Sequence, residues 1–286
     1  MLIYGLVNSA VLALMALGFN LTFGISGVAN FTYGAIYVVA GFLAWSLINK
    51  LHLPYVVSAA LTIVIIGVAG AYLYRLILKR IRGLVISEVI ATFGIALILL
   101  ELLRSMGFIG FNYSLPVFID GSVQILGTYV DIQRLLVILL GIACISMLYL
   151  FTHHTKIGLA FRGIAQEEHT SLSLGINPDR IAALSMGFGS ALGAFAAIVI
   201  LPLGTITVDG GYDVLINALS VCIVGGLGST FGVIIAAFII GYAQTLTSMY
   251  ISEHWVMIVS LAAILVILAV RPSGLLGHQK ELEERV

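Results

Sequence analysis

Apolar residues along the chain gather into long stretches separated by short polar gaps. Most of the stretches approach the roughly 20 residues that a helix needs to cross a hydrocarbon core of about 30 Å. The stretches at 181–201 and 255–270 are apolar on every face, whereas strands of a membrane barrel would alternate apolar and polar residues. The pattern therefore predicts an all-α, polytopic membrane bundle with eight or nine segments. They lie near residues 2–22, 31–48, 55–76, 84–103, 134–153, 181–201, 213–226, 231–250 and 254–270.

Two glycine-rich interruptions break this pattern. They are NLTFGISGVANFTYG at residues 20–34 and GGLGSTFG at residues 225–232. Irregular backbone at membrane depth is tolerated only where protein or a water-filled cavity satisfies its polar groups. Transporters use broken or re-entrant helices of this kind to line a path, and the stretch at 213–226 is short enough to be one of them.

Composition agrees with a membrane protein, because 61% of the residues are hydrophobic and only 9% are charged. A soluble domain carries about a quarter charged residues. The largest polar gaps, 105–133 and 155–180, are too short to build a core of their own, so residues 1–286 are expected to form one membrane domain. The formal net charge of zero gives no indication of nucleic-acid binding. Cys144 and Cys222 lie in apolar stretches and are expected to be small core residues, and we predict neither a metal site nor catalytic residues.

The basic residues separate into two sets when the predicted spans alternate. Cytoplasmic loops retain Lys and Arg during insertion, so the larger set indicates the cytoplasmic side and puts the C-terminus there, with Asp120, Asp131, Asp209 and Asp213 outside. The N-terminus would be outside with nine full spans and inside with eight. The larger set comprises Arg75, Lys79, Arg80, Arg82, Lys156, Arg162, Arg180, Arg271, Lys280 and Arg285, and the smaller set comprises Lys50, Arg104 and Arg134.

Polar side chains inside the apolar stretches are candidates for function, because they are costly to bury in a bilayer. Glu101 lies one helical turn before Arg104 and is expected to pair with it. Glu88 is predicted either to line a path or to pair with Arg80 or Arg82. Neutral polar groups can hydrate a passing zwitterion without trapping it, although helix-packing hydrogen bonds are the alternative. The path-lining candidates are Asn8, Asn20, Asn30, Thr32, Glu88, Thr92 and Asn217.

A polar loop at residues 155–180, between two long apolar stretches, contains RGIAQEEHTSLSLGINPDR. A bilayer excludes its charges at about 2.5 to 3.5 kcal/mol for a centrally placed Arg, Lys or Asp. The loop therefore lies in water, where a soluble partner can bind it. We predict a short helix at 165–175, ended by Gly175. Asn177, Pro178 and Asp179 are expected to turn the chain into the next span.

In order and spacing, four segments resemble the permease subunits of branched-chain amino acid ABC importers, of the LivH type. They are GFNLTFGISGVANFTYG, the 162–180 loop, GGLGSTFG and the RPSGLLG ending at Gly277. The resemblance covers essentially the whole chain. In the 155–180 loop the chain departs from the family pattern, with His169, Thr170 and Ser171 at acidic and small positions.

The resemblance implies a multi-pass subunit of a bacterial-type cytoplasmic membrane. It would form the pore with a second permease, usually a non-identical chain, and would work by alternating access. Two separate ATPases would bind ATP and Mg²⁺, and an extracytoplasmic solute-binding protein would deliver amino acids, branched-chain or otherwise apolar. As a permease the chain itself would be no enzyme. Because it contains no GxxxxGK[ST] phosphate loop, its energy would come from a separate subunit.

The resemblance also assigns roles to two groups of residues. A short cytoplasmic helix would sit in a groove of the ATPase and couple nucleotide-driven closure to the membrane helices; its residues would be Ala165, Gln166, Glu167, Glu168, His169, Leu172, Leu174 and Gly175. A structural glycine turn would be formed by Gly225, Gly226, Gly228 and Gly232.

The alternative is a stand-alone secondary transporter or channel for small polar solutes. Inverted repeats with matched broken helices in both halves would favour it, and the two interruptions do lie near opposite ends of the chain. The 155–180 loop and the scarcity of buried carboxylates for ion coupling speak against it. A structural membrane scaffold would leave the polar breaks within spans unexplained.

Overall fold

The computed structural model describes residues 1–27, 29–108, 113–119, 121–125 and 128–277. The predictions for Asp120, Lys280 and Arg285 lie outside these residues. Each of the predicted apolar stretches forms a helix. These helices are α1 (Leu2–Ser26), α2 (Tyr33–Asn49), α3 (Tyr55–Leu73), α5 (Val85–Ser105), α6 (Ile132–His154), α9 (Pro178–Ile200), α10 (Gly210–Gly225), α11 (Thr230–Tyr250) and α12 (Val256–Val270).

Shorter elements connect these helices. α3 continues through a π-helical turn, Tyr74–Leu78, into α4 (Lys79–Ile81). The 155–180 loop contains α7 (Lys156–Gln166) and α8 (Glu168–Ser173), and 3₁₀ turns occupy Leu201–Leu203 and Glu253–Trp255. Strands β1 (Ser122–Ile125) and β2 (Thr128–Asp131) form an antiparallel hairpin with Val123 opposite Val130. The sequence analysis missed this hairpin, and Val130, on its inward side, is buried.

Seven of the described helical segments are long and apolar enough to cross a membrane. One of the seven is α12 together with the 3₁₀ turn before it, Glu253–Val270. The two apolar helices that fall short are α2, with 17 residues, and α10, with 16. At a rise of about 1.5 Å per residue both are slightly shorter than a hydrocarbon core. The all-α polytopic fold is therefore confirmed, and α10 has the short length that the sequence predicts.

The bundle contains an internal repeat. The series α1, α2, α3 and α5 has the same order of long, short, long and long helices as the series α9 to α12. The first helix of each series packs against the second and third helices of the other series: α1 packs against α10 and α11, and α9 packs against α2 and α3. α1 and α9 also pack against each other, and so do α2 and α10. Because an odd number of spans precedes α9 if each helix crosses, the two series have opposite orientations.

Glycines allow the two series to meet closely at the centre. A Cβ on Gly18 of α1 would lie 2.5 Å from the carbonyl oxygen of Gly189 on α9, and a Cβ on Gly189 would lie 2.7 Å from the oxygen of Gly18. Gly34 of α2 and Gly211 of α10 face each other in the same reciprocal way. Small residues let membrane helices approach until their backbones touch, so these pairs hold the two series together.

Contacts between loops define two ends of the bundle. At the loop end, which carries α7 and α8, Ile25 at the end of α1 belongs to one apolar cluster with Phe161 of α7. At the opposite end, the Arg134 guanidinium lies 5.1 Å from the ring centre of Tyr4 near the start of α1. Arg104 pairs there with Asp209. The smaller set of basic residues thus lies at the opposite end, away from the 155–180 loop.

Candidate coupling and translocation sites

The 155–180 loop begins with a helix that is anchored to the bundle. The Thr155 hydroxyl caps α7 by accepting a hydrogen bond from the Gly158 N–H at 2.9 Å. Phe161 and Ile164 are buried, and the Phe161 ring packs edge-on against Phe151 and Phe188 at 5.9 and 6.0 Å between ring centres. α7 is therefore an amphipathic helix that lies on the bundle through its aromatic face.

The next helix, α8, presents apolar side chains away from the bundle. The side chains of Leu172 and Leu174 are 56% and 77% exposed. Gly175 has φ 82°, and the chain turns there through hydrogen bonds from Gly175 N to the Leu172 oxygen and from Ile176 N to the Ser171 oxygen. This is the predicted glycine ending of the helix. Two exposed leucines therefore lie at the end of α8, Leu172 within it and Leu174 directly after it.

One boundary in this loop is a correction. A single helix over 165–175 was predicted, but α7 extends through Ala165 and Gln166 and ends there, and extended backbone at Glu167 separates it from α8. Ala165 and Gln166 belong to α7 because they continue the last turn of that helix, in which Ile164 is buried against the bundle. The side chains of Glu168 and His169 lie outside the described set.

An ion pair connects the exit of this loop to α3 and α4. Asn177 caps α9 by accepting a hydrogen bond from the Arg180 N–H at 3.1 Å, and Pro178 begins the helix. The next residue, Asp179, accepts a hydrogen bond from Arg82 Nη1 at 2.8 Å and lies 3.2 Å from Lys79 Nζ. We call Asp179, Lys79 and Arg82 the loop-end clamp.

The clamp lies next to a feature that can bend. The π-helical turn Tyr74–Leu78 directly precedes Lys79, and π-turns in helices occur frequently at functional sites. α3 and α9 approach closely nearby, where a Cβ on Gly67 would lie 3.2 Å from the Ala191 Cβ. The clamp therefore ties the start of α9, which begins five residues after α8 ends, to the segment that continues α3.

Replacing Asp179 with asparagine is expected to lower solute uptake about three- to tenfold, because substitutions along a coupling route change it by about 0.5 to 2 kcal/mol. In the ABC importer that the sequence resemblance implies, the measurement is ATP-driven uptake into vesicles by the complete transporter. Glu101→Gln is the matched control, since Glu101 pairs with Arg104 at 2.7 Å at the opposite end, and it should leave uptake unchanged. The swapped pair Asp179→Arg with Arg82→Asp should recover uptake; equal losses in the swapped pair and in Asp179→Asn would contradict a transmitting role.

Four of the predicted path residues gather beside the α1–α2 connection at the loop end. Thr32 Oγ1 donates to the Thr92 carbonyl oxygen at 2.9 Å, and Thr92 Oγ1 accepts from the Phe31 N–H at 3.3 Å. Asn30 Oδ1 accepts from the Thr32 N–H at 3.0 Å, and Glu88 Oε1 accepts from the Gly83 N–H at 2.7 Å. A cavity of about 20 Å³, room for about one water, touches Asn30, Glu88 and Thr92. The bonds of Asn30, Thr32 and Thr92 thus hold the α1–α2 connection against α5, whereas the Glu88 bond closes the turn before α5.

The glycine turn and the RPSGLLG segment meet at the same end. Gly226 and Gly228 have φ 97° and 84°, values that glycine adopts without strain. The chain after α12 returns to this turn, where Leu275 N donates to the Val224 oxygen at 2.9 Å and Leu276 N to the Gly225 oxygen at 3.0 Å. A Cβ on Gly232 would overlap the Gly225 oxygen. The predicted structural role of these glycines thus has a geometric basis.

The first interruption lies against the second. Asn20 Oδ1 accepts a hydrogen bond from the Gly228 N–H at 2.8 Å. Asn20 is inside α1, which continues to Ser26, so the break is later than the sequence indicated. Its side chain is buried and satisfies a backbone N–H of the glycine turn.

The other two predicted path residues belong to a network nearer the opposite end. Asn8 Nδ2 donates to Gln244 Oε1 at 3.0 Å, and Gln244 Nε2 donates to Asn217 Oδ1 at 3.0 Å and to Ser260 Oγ at 2.6 Å. We call these four side chains the amide network; it connects α1, α10, α11 and α12. Gln244 and Ser260 were missed by the sequence analysis. The signal was present, because both are polar residues within largely apolar helices.

A cavity of about 670 Å³ lies beside this network, and we call it the opposite-end cavity. Such a volume is in the usual range for small-molecule sites. Of the predicted path residues, only Asn8 lines it. The full lining is Tyr4, Val7, Asn8, Val11, Arg134, Ile200, Leu201, Leu203, Gly204, Thr205, Gln244, Thr245, Ser248, Met249, Glu253 and Val256. Within the described residues, no group of three or more His, Cys, Asp or Glu side chains could hold a metal ion.

A bundle of long apolar helices in two similar series, with a cavity between helices of the bundle, is the architecture of a multi-pass membrane transport protein. Residues 1–268 match the family described as branched-chain amino acid transport system / permease component, and the chain belongs to that family. The LivH-type resemblance found in the sequence is thereby confirmed. The chain is the membrane-spanning permease subunit of an ABC importer.

Individual relatives agree with this assignment. The chain is 27% identical to the high-affinity branched-chain amino acid transport system permease protein LivH of Salmonella typhimurium, over 96% of this chain and 94% of the relative. It is 25% identical to the corresponding protein BraD of Pseudomonas aeruginosa, over 97% and 95%. The solved structure of PsaBC from Streptococcus pneumoniae in complex with Fab matches with a TM-score of 0.51 at 13% identity, over 94% of this chain and 91% of that one, and supports the fold.

Proposed function

We propose that this permease forms half of a pore that imports α-amino acids with apolar, chiefly branched, side chains across a bacterial-type cytoplasmic membrane. The observation that carries the substrate class is the match over nearly the whole length to relatives whose names specify branched-chain amino acids. The aliphatic wall of the opposite-end cavity supports it.

The orientation follows from charge. The loop end carries Lys79, Arg82 and the 155–180 loop, and positive residues remain on the cytoplasmic side during insertion. The loop end, with the C-terminus, is therefore cytoplasmic in this proposal, and the opposite end faces the solute-binding protein. With nine spans, the start of α1 is extracytoplasmic.

The proposed partners are two cytoplasmic ATPases, which bind ATP and Mg²⁺, a solute-binding protein and a second permease chain. A related but non-identical second permease is supported by the 25% identity to the permease protein LivM of Salmonella typhimurium, over 92% of this chain and 67% of LivM. The ATPase would bind α8, because Leu172 and Leu174 are exposed in an aqueous loop. An exposed apolar pair on a short helix is suited to a hydrophobic groove.

The proposed mechanism is alternating access driven through the 155–180 loop. Closure of the two ATPases around ATP would displace α8, and α9 and the loop-end clamp would transfer the displacement to α3. Because the two helix series have opposite orientations, rocking one against the other can close one end while the other opens. The chain itself would bind the solute weakly and pass it on.

A stand-alone secondary transporter is the second candidate, and the internal repeat is compatible with it. Its broken helices should be matched by the repeat. In the repeat, the connection between α1 and α2 is equivalent to the connection between α9 and α10. The glycine turn between α10 and α11 is equivalent to the connection between α2 and α3. The two glycine-rich interruptions are therefore not a matched pair, although the short helices α2 and α10 are. The family match over residues 1–268 favours the importer.

The test is to purify the intact chain from its native membrane and reconstitute it in vesicles. The expected result is that ATPase subunits and a second permease co-purify, and that leucine uptake requires both ATP and the solute-binding protein. Uptake by the purified chain alone, with no ATPase present and no dependence on ATP, would replace the importer with an ion-coupled carrier or channel.

A further inference from the structure

We propose that the opposite-end cavity is a binding site for a zwitterionic α-amino acid with an aliphatic side chain, in which Arg134 binds the carboxylate and Glu253 the ammonium group. The inference rests on the proposed function and names the solute site within it. The cavity is lined by one cationic side chain and one carboxylate, which come from different parts of the chain. A zwitterion requires such a pair of opposite charges.

The two charged groups are held at the mouth of the cavity by different elements. Arg134 lies in the first turn of α6, and Glu253 begins the 3₁₀ turn before α12. Asp131 accepts from Arg134 Nε at 3.3 Å, and the guanidinium stacks over the Tyr4 ring. These two contacts orient the guanidinium, and the hydrogen bond to Asp131 uses only one of its five N–H donors. A guanidinium edge can bind a carboxylate through two parallel hydrogen bonds.

The walls below the charged pair are aliphatic. Val7 and Val11 of α1 face the cavity together with Ile200, Leu201 and Met249. Burying a leucine-sized side chain against such a wall contributes about 1.5 to 3 kcal/mol. The wall therefore selects solutes with apolar side chains, in agreement with the proposed substrate class.

The base of the cavity is polar and rigid. Gln244 is almost completely buried and is fixed by three partners of the amide network, while Asn8 donates a second hydrogen bond to the Gly241 oxygen at 3.1 Å. Amides already bonded to one another attract a charged head group less strongly than Arg134 and Glu253 do. The charged groups of the solute are therefore expected at the mouth and its side chain towards the valines.

Protection of an introduced cysteine tests the site without requiring transport. Ser248 lines the cavity and is exposed, and the native Cys144 and Cys222 are buried. Ser248→Cys would be labelled with a membrane-impermeant maleimide in the complete transporter complex. Leucine at millimolar concentrations is expected to slow the labelling, and Arg134→Gln should raise the half-protecting concentration about tenfold or more, the worth of a charged hydrogen bond.

Analogues identify which charge binds where. Leucinamide, which lacks the carboxylate, should protect poorly and equally in the parent and in Arg134→Gln. 4-Methylpentanoate, which lacks the ammonium group, should protect poorly and equally in the parent and in Glu253→Gln. Arg134→Lys keeps the charge and should retain most of the protection by leucine. Asn49→Cys, an exposed position outside the cavity lining, should be labelled at the same rate with and without leucine.

The same preparation is assayed for ATP-driven leucine uptake, so that two failures can be told apart. Thr205→Cys serves as a second lining position. If ATP-driven uptake is retained but leucine does not slow the labelling of Ser248→Cys or Thr205→Cys, the cavity is not the binding site and the importer assignment stands. Protection that is equal in the parent, Arg134→Gln and Glu253→Gln would overturn the charge assignment. Absence of both ATP dependence and protection would overturn the proposed function as well.

Discussion

Replacing Gly34 with valine is expected to prevent accumulation of folded protein in the membrane. A Cβ at this position would overlap the carbonyl oxygen of Gly211, and a Cβ on Gly211 would lie 3.1 Å from the Gly34 oxygen. The obstacle is backbone, which a rotamer change cannot remove. Relief would require α2 and α10 to separate at the point where the two helix series meet. Overpacking of this kind costs about 1 to 3 kcal/mol when side chains can adjust, and here we expect more.

The measurement is the yield and melting temperature of the detergent-solubilised protein, after size-exclusion chromatography. Gly94→Val is the matched control. Gly94 is also inside a membrane helix, α5, but a Cβ there meets no atom within 4 Å. It should give the yield of the parent. Equal yields and melting temperatures for Gly34→Val and the parent would contradict close packing of α2 on α10.

The membrane helices could be predicted from the sequence because a bilayer imposes one requirement on every span, a long apolar helix. Helix ends depend on weaker local terms. α1 runs through Asn20 to Ser26, since the Asn20 amide has a partner, the Gly228 N–H, that lies 208 residues away in sequence. The β1–β2 hairpin was missed because two four-residue strands give almost no periodicity.

Among charged contacts, sequence distance decided what could be predicted. The pairing of Glu101 with Arg104 was predicted and is observed, because residues three apart on a helix are neighbours. The bond between Arg82 and Asp179 joins residues 97 apart. No local rule indicates it, and it depends on how α3 packs against α9.

The path residues show the same limit. Polarity in an apolar helix identified Asn8, Thr92 and Asn217, but polarity alone does not distinguish a side chain that lines a cavity from one that bonds to a neighbouring helix. Asn8 lines the opposite-end cavity, whereas Thr92 bonds to the α1–α2 connection. That they line a path remains a prediction. Gln244 has both roles, since it is the centre of the amide network and also borders the cavity.

Replacing Leu172 and Leu174 together with serine is expected to detach the ATPase from an otherwise folded permease. Both side chains are largely exposed, Leu172 on α8 and Leu174 directly after it, and neither belongs to an apolar cluster of the described bundle. Their removal should therefore leave the melting temperature of the isolated permease unchanged. Burial of two leucines in a partner groove contributes about 3 kcal/mol, so we expect association about a hundredfold weaker.

The measurement is the amount of ATPase recovered with the tagged permease, together with ATP-driven uptake by the reconstituted complex. Leu159→Ser provides the matched control, because Leu159 is 62% exposed on the neighbouring helix α7 but lies before the turn into α8. The control should retain both the ATPase and uptake. Equal recovery of the ATPase with the double variant would show that α8 is not its binding site. Equal loss with Leu159→Ser would extend the binding surface to α7, and the coupling contact would then include the helix that the Phe161 ring anchors to the bundle.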